Sequence, residues 1–85
     1  MQKSTHSPEY AAVMAKLVAM RKKAGMTQSK LAEALEREQS FVWRIEKGER
    51  RLDIVEFFWV CNALGFDAAK VYSELCIQFA HTVES

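Results

Sequence analysis

Met26–Lys47 reads MTQSKLAEALEREQSFVWRIEK, and its spacing decides the fold. Leu31, Ala32 and Leu35 recur at helical intervals, as do Val42 and Ile45. The pattern predicts a helix from Gln28 to about Leu35 with Thr27 as its N-cap. A second helix is predicted from about Gln39 to Lys47, stopping at Gly48. Only Glu36 to Glu38 lie between the two. A connection that short sets the second helix across the first and leaves its outer face free.

With Val42, Ile45 and Glu46 turned inward, helical periodicity puts Ser40, Trp43, Arg44 and Lys47 on the opposite side, with Gln39 at the leading end. That side holds no carboxylate, whereas a solvated face usually mixes both signs. Gln and Arg are the side chains best suited to bidentate contacts with base edges, Gln to adenine and Arg to guanine. Gln39, Ser40 and Arg44 are therefore the expected base contacts, with Trp43 adding apolar contact to a thymine methyl, and Lys47 an expected phosphate contact. An ordinary surface helix is the competing explanation.

The charge distribution points the same way. The formal net charge is only +1. Between Lys16 and Arg51, however, ten basic residues stand against five acidic ones, and the rest of the chain holds two against six. The basic half coincides with the two helices, as a phosphate-binding footprint requires.

Outward from this stretch, Ser7-Pro8-Glu9 reads as a helix start. A stripe of Tyr10, Val13, Met14, Leu17, Val18 and Met20 then runs to a stop at Gly25. Arg21, Lys22 and Lys23 fall in the last turn, where the helix dipole favours cations. Residues 1–7 are expected to be a mobile tail, 8–80 one domain and 81–85 a fraying end. Asp53-Ile54-Val55-Glu56 reads as a capping box for a fourth helix ending at Gly65. That helix is apolar almost all round, so it needs a partner on more than one side. Asp67 caps a fifth helix carrying Val71, Tyr72, Leu75, Cys76, Phe79, Ala80 and Val83. The surplus apolar surface of the last two helices, with Phe58, Trp59, Phe79 and Val83 on it, either wraps its own domain or forms a dimer interface, and the dimer is favoured.

With 49% apolar residues, three Gly, one Pro and no period-two runs, the chain reads as all-α with five helices. Cys61 and Cys76 are expected to be buried, reduced thiols. No signal peptide or membrane-spanning run is evident, and a cytoplasmic location is expected. No metal-ligand spacing, nucleophile–base arrangement or phosphate-cradling loop occurs, so neither a cofactor nor an enzymatic activity is expected.

TQSKLAEAL followed by QSFVWRIEKGER resembles the lambdoid-repressor-like (Cro and xenobiotic-response-element) helix-turn-helix family, over roughly Val18 to Leu75. The chain departs from the family pattern at Glu36 (usually Gly), Glu38 (usually Ser or Thr), Lys30 (usually Glu) and Trp43 (commonly small and polar). The resemblance implies a DNA-binding domain that acts as a dimer, with the second motif helix in the major groove. It implies that Gln28 touches the DNA backbone and that Arg50 and Arg51, in the loop after Gly48, approach phosphates. It also implies that Arg21 pairs with Glu46, locking the first helix to the reading helix, where a direct DNA contact by Arg21 is the alternative. A protein-interaction module on the same fold, such as the antitoxin partner of a toxin, is the second functional reading. A restriction–modification controller is a narrower form of the first.

Overall fold

The computed structural model describes residues 7–84, with side chains described through residue 81. Five helices follow one another: α1 (Pro8–Lys23), α2 (Gln28–Ala34), α3 (Gln39–Glu46), α4 (Ile54–Ala63) and α5 (Ala68–Glu84). The expected all-α fold is the one observed. The expected tail at residues 1–6 lies outside the described residues. Ser7 belongs to α1 as its N-cap, its hydroxyl accepting from the Tyr10 N–H at 3.0 Å. Helix α5 continues to Glu84.

Local chemistry sets the helix boundaries. Thr27 caps α2 through the Lys30 N–H at 3.1 Å. Asp53 caps α4 through Glu56 N–H at 2.7 Å, and the Glu56 carboxylate accepts the Asp53 N–H in return at 3.0 Å. Asp67 accepts from Ala69 N–H at 3.0 Å at the start of α5. Helix α3 has no side-chain cap, because Glu38 stands at the capping position.

Helices α1 to α4 all end in the same paired backbone closure. After α3, Gly48 N–H bonds the Ile45 carbonyl and Glu49 N–H bonds the Arg44 carbonyl. After α2, Glu36 and Arg37 make the equivalent bonds to Glu33 and Ala32. This closure needs one left-handed residue. Gly48 supplies it after α3 at φ +78°, and Glu36 supplies it after α2 at φ +56°.

The core sits where all five helices converge. It is built from Leu17 and Met20 of α1, Leu31 and Ala32 of α2, Val42 and Ile45 of α3, Val60 and Cys61 of α4, Leu64 just beyond it, and Val71 and Leu75 of α5. Helix α3 packs against α2 and α1, and α5 against α1 and α4. Consequently α3 is held on its inner side only. Cys61 is fully buried, and burial pushes its thiol up to about 11. Cys76 is exposed on α5, contrary to the expectation that both thiols are buried. The strip of α5 that α1 and α4 cover is too narrow to include it.

Candidate nucleic-acid interface

The exposed side of α3 carries Gln39, Ser40, Trp43 and Arg44, with Lys47 at its C-cap. Val42 and Ile45 are buried on the other side. This split follows directly from where α1 and α2 pack. Trp43 keeps 41% of its surface, with the Lys47 ammonium 5.4 Å from its ring centroid, a cation–π contact. Arg44 makes no ion pair among the described residues, so its guanidinium is available to a ligand. Gln39 is held from a neighbouring helix: the Ser29 hydroxyl donates to its Oε1 at 2.8 Å.

The base of α3 is locked to α1. Arg21 Nε and Nη2 donate to the two Glu46 oxygens at 2.6 and 3.0 Å, and Arg21 Nη1 donates to the Met26 carbonyl at 2.9 Å. Both side chains are about nine-tenths buried. A carboxylate so enclosed is tolerable only with its charge matched and its lone pairs filled. Gln28 completes the set, its Nε2 donating to Glu46 at 2.9 Å. Gln28 is thus half-buried and turned toward Glu46 with one of its two N–H groups already engaged. It has less to offer a DNA backbone than its place in the sequence implies.

The loop after α3 is fixed from two sides. The buried Tyr10 hydroxyl donates to the Arg50 carbonyl at 3.0 Å and accepts the Leu52 N–H at 3.2 Å. The Arg50 guanidinium forms a two-pronged pair with Glu56, both bonds at 2.9 Å. Arg37 lies 3.6 Å from the same carboxylate. Both guanidinium groups stand over the Phe41 ring, at 4.6 and 4.8 Å from its centroid. Glu56 is buried, and the Arg50 guanidinium beside it holds its carboxyl below the usual carboxylate range.

Arg50 is expected to be a phosphate contact, and its guanidinium already has a partner within the protein. Its primary partner is Glu56, and only its outer edge faces solvent. Arg51 is exposed and makes no ion pair among the described residues. Sequence spacing missed the Tyr10 clamp, which joins residues forty apart, and missed that the capping-box glutamate of α4 also anchors two arginines. The available signal was an acid in the first turn of a helix otherwise apolar almost all round.

Helices α4 and α5 bear the apolar surplus. Ile54, Val55, Phe58 and Trp59 of α4 and Tyr72 and Ile77 of α5 are exposed. A groove of about 540 Å³ runs between α1, α4 and α5, lined by Tyr10, Phe57, Phe58, Tyr72 and Phe79 among others. Phe58 and Trp59 are open to a partner. Phe79 is half-buried against its own core. The side chain of Val83 lies outside the described residues. No helix among the described residues is long and apolar enough to cross a membrane.

The comparisons agree with this architecture. A family model described as a helix-turn-helix domain matches residues 15–72. No curated protein matches the chain. Among solved structures, the chain is similar to an XRE-family like protein from Pseudomonas syringae pv. tomato. The two are 41% identical over 86% of this chain and 89% of that one, with a TM-score of 0.82. It is also similar to the clp gene regulator ClgR from Corynebacterium glutamicum, at 27% identity over 86% of this chain and 95% of that one, with a TM-score of 0.73. The restriction–modification controller protein C.Esp1396I shares the fold, with a TM-score of 0.78 at 21% identity over 88% of this chain and 99% of that one. The chain belongs to the lambda-repressor-like, XRE-type helix-turn-helix family.

Proposed function

We propose that the chain is a sequence-specific regulator of transcription, working in the cytoplasm, that binds double-stranded DNA as a homodimer with α3 in the major groove. The observation that carries this is the outer face of α3. It is exposed, it bears Arg44 and Lys47 without a carboxylate, and its inner side is fastened to α1 through Arg21 and Glu46. An α-helix fits the major groove, and a rigidly held helix reads it at lower entropic cost. Gln39, Ser40 and Arg44 contact base edges, and Trp43 contributes apolar contact. Lys47 and Arg51, with the outer edge of Arg50 and the remaining N–H of Gln28, meet phosphates. Similarity to ClgR, whose name is that of a gene regulator, supports the reading.

The dimer is supported by the exposed aromatics of α4 beside the apolar groove. Two copies related by a twofold axis would read half-sites about one helical turn, roughly 34 Å, apart. Selection from a random duplex library tests the function. A palindromic consensus whose binding falls steeply with salt is expected. Weak binding without sequence enrichment would shift the function to a protein partner, with α4 and α5 as the surface to search.

A further inference from the structure

The first turn of α2 presents two successive polar side chains that go to different places. Gln28 turns to Glu46. Ser29 reaches across to the first residue of α3, donating its hydroxyl to Gln39 Oε1 at 2.8 Å. Both Ser29 and Gln39 are exposed, so this bond is not needed to fill a buried vacancy. It spans two helices whose relative placement is already fixed by Leu31, Ala32, Val42 and Ile45 in the core. Its consequence is therefore for the glutamine itself.

We propose that Ser29 is a positioning residue that presets the Gln39 amide for base reading, and so governs discrimination at a base pair that Ser29 does not touch. The inference rests on Gln39 being a base contact. A glutamine amide offers one oxygen with two lone pairs and two N–H groups. Ser29 occupies one lone pair. One lone pair and both N–H groups remain, which is the combination that adenine N6–H and N7 require. An untethered amide can rotate to offer both N–H groups to the two acceptors of guanine. A hydroxyl holding the oxygen end opposes that rotation. The tether also removes rotamer freedom before DNA arrives, which lowers the ordering cost of the contact. Donation into the amide oxygen polarises the N–H groups and strengthens them as donors.

The test compares the full chain with its Ser29→Ala, Ser29→Thr, Gln39→Ala and double Ser29→Ala/Gln39→Ala variants. Each is titrated on the enriched duplex and on duplexes changed one base pair at a time. Gln39→Ala should abolish preference at one base pair. Ser29→Ala should reduce the preference at that same pair by about three- to tenfold, the scale of one neutral hydrogen bond, and leave the other positions unchanged. Ser29→Thr, which keeps the hydroxyl, should restore it, and the double variant should match Gln39→Ala. Should Ser29→Ala leave the preference intact while Gln39→Ala flattens it, the tether is overturned and the base contact stands. A uniform loss on every duplex after Ser29→Ala also overturns it, because Ser29 would then be a backbone contact. Gln39→Ala leaving every preference intact overturns the base contact and the tether with it.

Discussion

Glu36 holds a backbone conformation that an L side chain rarely adopts, at φ +56°, to close α2 before α3 begins. The left-handed region costs a non-glycine residue roughly 1–2 kcal/mol. Glycine removes that cost but loses more chain entropy on folding, by roughly 0.5–1 kcal/mol. Glu36→Gly should therefore stabilise the chain by up to about 1 kcal/mol, a rise of roughly 4–8 °C in melting temperature for a domain this size. A lower melting temperature would show that the Glu36 side chain contributes more than its backbone strain costs. The need for a left-handed residue was legible in the sequence, because the family pattern has glycine there and the turn is so short. Cys76 was not legible in the same way. It stands in an apolar stripe, but whether a stripe is covered depends on the elements that pack against it.

Helix α3 is held by attachments at both ends, and the ties of the fold divide by how far they reach along the chain. Caps and closures are local, and Ser7, Thr27, Asp53, Asp67 and Gly48 announced them by residue type. Long-range ties are not announced so, because spacing along one helix says nothing about which other helix it meets. Tyr10 with Arg50 and Lys16 with Glu74, the latter at 2.6 Å between α1 and α5, are of this kind. Glu56 belongs to both classes. Its role in the capping box of α4 followed from Asp-x-x-Glu, but its two-pronged pair with Arg50 needed the fold. Glu56→Gln should cost about 1–3 kcal/mol at neutral pH, a figure reduced from that of a fully buried pair because Arg50 is more than a third exposed. The pH dependence has a definite sign. The Glu56 carboxyl is lowered from its ordinary 4.5 by the Arg50 hydrogen bonds above all. Its stabilisation is therefore complete above that value and is lost as the pH falls through the lower folded value. Denaturant melts should show a wide gap between the chain and Glu56→Gln at pH 7 that narrows as the pH is taken progressively below 4.5. A gap unchanged with pH would assign the loss to packing instead.

Within its 38 × 24 × 21 Å extent the molecule carries two kinds of surface, a basic one around α3 and an apolar one on α4 and α5, and Arg51 in the groove lining stands where they meet. Ile54 keeps 84% of its surface and Ile77 62%, and the exposed rings of Phe58 and Tyr72 border the groove. Burying such a patch against a second copy would remove it from water and would fix the distance between the two α3 helices. Sedimentation at micromolar concentration should give twice the 9.7 kDa chain mass, and Phe58→Asp, in the lining of the groove, should return it to the single mass. A single mass for the unaltered chain would assign the groove to another partner. The sequence displayed the surplus apolar surface but not its division, since Phe79 turns half into its own core while Phe58 and Trp59 stay open. Base reading by α3 is tested by titrating Arg44→Ala on the selected duplex and on a scrambled one. A loss of about 1–3 kcal/mol on the selected duplex and little change on the scrambled one is expected. An equal loss on both would contradict it, because Arg44 would then be holding phosphate rather than reading sequence.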